Sequence, residues 1–143
     1  MNLIDVNVLI YAANREADQH PRFRAWLATA LGGADALACA SHTLASVVRI
    51  LTHDRLLRRP LTVDQALTFA QSVRSAPSVH QLEPGEQHWN IFAALCRSAK
   101  AKGNLAMDAW LAALAIENGC TLITTDRDFA RFDGLQWRHP LRD

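Results

Sequence analysis

Thr121-Leu122-Ile123-Thr124-Thr125-Asp126-Arg127-Asp128-Phe129 contains the clearest strand in the chain, and an acid stands at its end. β-Branched and apolar residues fill 121–125, the composition of a strand covered on both faces. Just upstream, 105–118 is apolar on nearly every side and stops at Gly119, which reads as a buried helix with Asn104 as its candidate cap. Before it, 86–102 carries Trp89, Phe92, Ala93, Leu95 and Cys96 at helical spacing and closes at Gly103. A weaker strand, 79–82, precedes the Pro84-Gly85 turn, and Thr62-Val63-Asp64-Gln65 has the form of a capping box opening a helix that ends near Ala76-Pro77. Toward the start, 36–40 fits a strand, and Ser41 is placed to cap a helix running to Arg55 with Leu44, Val47, Val48 and Leu51 on one face. A helix over 21–31 and a first strand over 3–6 complete that half. Downstream lie a short 128–132 turn and a last strand near 135–137. Short apolar strands alternating with helices predict an α/β domain with three α/β/α layers around a short, mainly parallel sheet. Ligands of such folds sit beyond the carboxyl ends of the strands, where the strand order reverses.

The 143 residues suffice for one domain, taken as 1–143, with no repeat or linker to divide it. At 50% hydrophobic and 20% charged, the composition is globular and excludes disordered or fibrous classes. Fifteen Lys and Arg against fourteen Asp and Glu leave a formal charge of +1, so the chain is no broadly cationic nucleic-acid binder. Contact with a polyanion then requires a local patch or bound cations. Cys39, Cys96 and Cys120 are an odd number without a C-x-x-C pair, and they read as reduced, buried thiols of a cytoplasmic protein. The start lacks a signal-peptide n-region, and the most apolar stretch, 105–116, is short and interrupted by Asp108, so no membrane association is expected.

Acids occupy positions where a core is expected. Asp5 ends the first strand, Asp126 ends the 121–125 strand with Asp128 two residues on, and Asp108 has Leu111, Ala112 and Ala115 as its helical neighbours. A carboxylate on an apolar face costs several kcal/mol unless it is paired, hydrogen-bonded or metal-bound. Plainer readings exist for each: strand-end turns for Asp5 and Asp126, a dipole-complementing acid in the first helical turn for Asp108, and an Asx turn for the Asp126/Asp128 pair. Taken together, clustered carboxylates without His or Cys ligands suit a hard cation such as Mg²⁺ or Mn²⁺. Such ions usually serve phosphate chemistry.

Other signals are weaker. His20, His42, His53, His80, His88 and His139 show no metal-ligand spacing, Ser41-His42 lacks a nucleophile elbow, and there is no Gly-rich phosphate loop. Arg49, Arg55, Arg58 and Arg59 gather near one helix end, either as a solvated C-terminus or as a contact for a polyanion backbone or an acidic segment of a partner. Trp26, Trp89 and Phe23 lie on apolar helix faces and read as core or dimer surface; Trp110 follows Asp108 closely enough to border a cleft, though core packing is the simpler reading.

The stretches 3–11 (LIDVNVLIY), 103–115 (GNLAMDAWLAALA) and 124–129 (TTDRDF) together resemble PIN domains, and most closely the VapC-type toxins of type II toxin–antitoxin systems. The likeness runs nearly end to end, through 44–52, the 59–62 turn and the 132–135 ending. It implies a Mg²⁺- or Mn²⁺-dependent endoribonuclease that cuts single-stranded RNA, a VapB-type antitoxin that neutralises it, and a homodimer. By motif, Asp5, Asp108 and Asp126 would be the metal-binding acids, Asp128 an outer member, and Asn7 an orienting group beside Asp5. Many members carry a Glu in the helix after the second strand, where this chain has Ser46. That departure leaves Ser46 to hold a metal-bound water, with Asp128 compensating, or leaves a weak or inactive domain that binds RNA or antitoxin without cutting. A third expectation, a haloacid-dehalogenase-like phosphatase with Asp5 as nucleophile, is opposed by Asn7 standing where that class usually has a second Asp.

Overall fold

The computed structural model describes residues 1–142. Its strands are β1 (Asn2–Ile4), β2 (Leu37–Cys39), β3 (Val79–Gln81), β4 (Thr121–Ile123) and β5 (Gln136–Arg138). Its helices are α1 (Val6–Ala13), α2 (His20–Gly32), α3 (Ser41–Leu51), α4 (Val63–Arg74), α5 (His88–Ala99) and α6 (Asn104–Glu117), with a 3₁₀ turn at Arg127–Arg131. All pairings are parallel, in the order β3-β2-β1-β4-β5.

Period-two alternation along these short strands divides the interior into two cores. Ile4, Leu37, Cys39 and Ile123 point to one side, where they meet Val8 and Leu9 of α1, Phe23 and Leu27 of α2, Val47 of α3 and Val73 of α4. Leu3, Ala38 and Leu122 point to the other, against Leu95 of α5 and Ala109 and Leu111–Ala115 of α6. The sheet is therefore sandwiched, giving the three α/β/α layers expected. No helix among the described residues is long and apolar enough to cross a membrane.

The main departure is α1, which the strand expected over 3–6 overlooks. The run Leu3–Ala13 is apolar throughout apart from Asp5 and Asn7, so periodicity does not show where strand ends and helix begins. Asp5 marks the boundary: its Oδ1 accepts a 2.7 Å hydrogen bond from the Val6 N–H and caps the helix. Three smaller boundaries also move. Ser41 does not cap α3 but is its first residue, and its N–H is taken by Glu83 Oε1 at 2.9 Å. The same helix stops at Leu51 rather than Arg55, where the Thr52 hydroxyl turns back to the Val48 carbonyl at 2.8 Å. Helix α6 begins at Asn104, preceded by Gly103 at φ 58°, a conformation that disfavours any side chain. Asp108 consequently lies past the first turn, and the dipole explanation for it fails. The capping box at Thr62 and Gln65 forms as expected, with reciprocal bonds of 3.1 and 3.0 Å.

A candidate acidic cleft at the carboxyl ends of β1 and β4

The chain builds β1, β2 and β3 in one direction, then returns to place β4 on the other side of β1. The order reverses between β1 and β4, and the residues just beyond those two strands are Asp5 and Thr124–Asp126.

Asp5 is 6% exposed, and its backbone N–H continues the ladder to the Ile123 carbonyl at 3.0 Å. One carboxylate oxygen holds the α1 cap, and the other accepts a 2.7 Å hydrogen bond from the Thr124 hydroxyl. Burial pushes the Asp5 carboxyl above the usual carboxylate range, opposed by these two hydrogen bonds and assisted by the nearby Asp126 charge. Thr124 is fully buried and ties the site together. Its oxygen accepts from the Asp126 N–H at 3.1 Å and from the Asn7 side-chain amide at 3.4 Å, while Asn7 Oδ1 accepts from the Thr125 N–H at 3.4 Å. Asn7 thus ties down the β4 end, and it reaches Asp5 only through the Thr124 hydroxyl that both contact. Thr124 has no place among the expected site residues, because a threonine inside a strand run reads only as strand-forming. The signal available was its position between that run and Asp126.

Helix α6 delivers Asp108 from the opposite layer, half-buried over Leu111 and Ala112. Its carboxyl is pushed up to about 6, first by burial and then by the charges of Asp5, Asp126 and Asp128. The four acids therefore share one field, and like charges this close resist simultaneous ionisation. Asp126 keeps its plainer role too: Oδ1 accepts the Asp128 N–H at 2.8 Å, the Asx turn that starts the 3₁₀ segment. Asp128 is exposed, 3.8 Å from Arg131.

Asp5 and Asp108 face a cleft of about 310 Å³ that Ser46, Arg49, His42 and Trp110 also line. Trp110 thus borders the cleft, its ring 5.6 Å from His42 and its carbonyl 2.9 Å from Nε2 of the buried His88. Asp126, Asp128 and Asn7 are not among the cleft's lining residues. The expected arginine cluster divides: Arg49 lines the cleft, Arg55 and Arg58 are exposed in the turn after α3, and Arg59 pairs with Glu16 at 3.1 Å.

Asp5, Asp108 and Ser46 offer oxygen donors to this cleft, a type that suits hard cations. Among the described residues, no three His, Cys, Asp or Glu side chains are arranged to share one ion. The arrangement instead fits an ion that keeps most of its waters and takes one or two carboxylates, as Mg²⁺ does. Such an ion would offset the burial and the like charges that together raise Asp108.

Residues 3–135 match the PIN domain family. Ribonuclease VapC43 of Mycobacterium tuberculosis is 38% identical over 141 residues, 99% of this chain and 96% of that protein. Ribonuclease VapC37 of the same species is 37% identical over 140 residues, 98% of this chain and 97% of its own length. The structure of VapBC-1 from nontypeable Haemophilus influenzae superposes with a TM-score of 0.71 at 20% identity, covering 99% of this chain and 98% of that one, a likeness of fold. With its sandwiched parallel sheet and its acids gathered at the reversal of strand order, this chain belongs to the PIN-domain family and, within it, to the VapC type.

Proposed function

We propose that the chain is a metal-dependent endoribonuclease toxin that hydrolyses single-stranded RNA and is neutralised by a VapB-type antitoxin. One observation carries this reading: Asp5, at the end of a sheet strand, and Asp108, from a covering helix, are held against one open cleft although burial and the Asp5 charge both raise the proton affinity of Asp108. A fold keeps such repulsion where a cationic ligand repays it, and the relatives named ribonucleases share the chain nearly end to end.

Bound by Asp5 and Asp108, Mg²⁺ or Mn²⁺ would supply Lewis acidity toward a scissile phosphate and an attacking water. The chain's own residues prepare the place. Thr124 and the α1 cap lock the Asp5 carboxylate in one orientation, leaving each oxygen a further lone pair. Asn7 fixes the Thr124–Asp126 turn, so that Asp126 and Asp128 add negative potential from the side without entering the cleft. The Ser46 hydroxyl lines the wall where many relatives have an acid and is suited to orienting a water. Arg49 stands at the same wall with its guanidinium available to a phosphate of the strand. No side-chain nucleophile is needed. A cytoplasmic location, a single 1–143 domain and a homodimer belong to the same reading.

The absence of a three-acid cluster, with Ser46 in place of the acid, favours a second reading: a domain that binds RNA or antitoxin without cutting. Incubation of a mixed single-stranded RNA with Mg²⁺, Mn²⁺ or EDTA, comparing wild type and Asp5→Asn, separates the two. Metal-dependent cutting lost in the variant supports the ribonuclease; RNA bound but uncut by folded wild type supports the binding module. A phosphoenzyme trapped on Asp5 would support the phosphatase expectation instead.

A further inference from the structure

A second cleft, of about 280 Å³, opens at the carboxyl ends of β4 and β5. Thr125, Arg127, Trp137, Arg138, His139 and Arg142 line it. Three separate segments supply these groups: the 3₁₀ turn, the end of β5, and the turn that follows it. None of the arginines here belongs to the group the sequence singles out near α3.

The arrangement is anchored rather than a chance crowding of mobile side chains. Leu141 packs against the core, and its N–H donates to His139 Nδ1 at 3.1 Å. The His139 ring lies 6.1 Å from Phe23, and Arg22 reaches the Leu141 carbonyl at 3.5 Å. His139 is held below the usual imidazole range by burial and then by the charges of Arg142, Arg127 and Arg22, while Arg127, Arg138 and Arg142 share the cleft wall with it. Among the described residues no carboxylate pairs with Arg127 or Arg138. Converging cations without counter-ions destabilise a fold unless an anion joins them. In a chain of formal charge +1, this is the local patch that polyanion binding requires.

Its position gives the direction. Thr125 lines this cleft, its N–H is held by Asn7, and the next residue is Asp126. The cationic wall therefore stops one residue short of Asp126, whose charge acts on Asp5 and Asp108. We propose that this groove is a track for the phosphodiester backbone of single-stranded RNA, in which Arg127 and Arg138 hold phosphates of the strand entering the cleft at Asp5 and Asp108, with Trp137 as an aromatic wall for a base. The assignment rests on the ribonuclease reading, since the acids define what the track leads to. Single-stranded RNA is favoured over duplex because the groove combines scattered cations with a ring, the pattern that suits an unpaired backbone and unstacked bases.

The test measures affinity for a single-stranded RNA oligonucleotide by fluorescence anisotropy from low to moderate salt, in the Asp108→Asn background so that the strand stays intact. Arg127→Ala with Arg138→Ala is compared with Arg97→Ala plus Lys102→Ala, which removes the same charge from exposed positions elsewhere. Each phosphate contact on a single strand adds about 0.7 to the slope of log affinity against log salt. The groove variant should thus lose about 1.4 of slope and several-fold of affinity, while the control pair keeps its slope. An unchanged slope in the groove variant overturns the track, as does absence of measurable RNA binding in the parent. Tighter, more salt-dependent binding of duplex DNA, lost in the same variant, overturns it as an RNA site. Cleavage by wild type is scored separately: if RNA is cut but the slopes agree, only the track fails, and if RNA is bound with the expected slope but never cut, the ribonuclease reading fails instead.

Discussion

Replacing Asp108 by Asn removes a charge and keeps the side chain's shape, so it reads out together the burial cost and the like-charge repulsion borne by that carboxylate. Raising Asp108 from its ordinary 3.8 to about 6 corresponds to roughly 3 kcal/mol at ~1.4 kcal/mol per tenfold change in proton affinity. Asp108 is only half-buried, and water in the cleft screens the interaction, which reduces the gain to about 1–2 kcal/mol. The sign follows from proton counting. Between about pH 4 and 6 the folded state binds more protons at this position than the unfolded chain, so wild-type stability falls as pH rises through that window. Asn cannot titrate and escapes the loss. The variant should unfold about 3–6 °C higher than wild type at pH 7.5 in EDTA, and the difference should close as pH falls toward 4. Calorimetry or thermal circular dichroism at several pH values measures both limbs. Equal melting temperatures at pH 7.5, or a gap that stays constant down to pH 4, would refute the claim that burial and neighbouring acids strain the ionised Asp108.

The remaining outcomes probe the same site from other sides. Thr124→Val leaves a buried carboxylate oxygen and the Asp126 N–H without their shared partner, costing about 1–3 kcal/mol in urea unfolding and abolishing RNA cleavage, whereas Thr124→Ser retains both. Mg²⁺ should raise the wild-type melting temperature in proportion to occupancy, about 2.7 kcal/mol at a hundredfold excess over its dissociation constant, and should do little for Asp5→Asn. Thr62→Ala removes the α4 capping box far from the cleft; it should cost ~1 kcal/mol with cleavage unchanged per folded molecule. Leu114→Ala opens a cavity in a fully buried part of α6 and should cost about 2–5 kcal/mol in the same unfolding assay.

Much of this architecture is legible in the residues. Gly103 and Gly119 bracket α6, the Thr62–Gln65 box opens α4, and the 121–125 run yields β4 over its first three residues. Local chemistry determines those features, so local reading finds them. Helix α1 escapes because its sequence is apolar on every side, and only the Asp5 side chain separates strand from helix. Asp5 and Asp108 are conspicuous as charges among apolar neighbours, and the structure brings both to one cleft. Ser46 and Arg49 join them there, which helical spacing along α3 permits without foretelling. Thr124 and the groove at Arg127 and Arg138 are hidden for a different reason. Each depends on which strand lies beside which, and the register of β1 against β4 and of β4 against β5 is a property of the whole sheet. A patch assembled from a turn, a strand end and a terminal loop leaves no contiguous run of charge to notice.

The bond between Thr124 and Asp5 joins positions 119 residues apart. That separation orders events during synthesis. Asp5 emerges from the ribosome early, yet its orienting hydroxyl and the Asp126 flank follow only when nearly the whole chain has been made. Until β4 slots in beside β1, the nascent polypeptide has an unpaired strand edge and a loose carboxylate, and no competent acidic centre. A chain released prematurely before residue 121 would therefore lack an assembled centre. The topology therefore makes the acidic centre one of the last features that the growing chain can assemble.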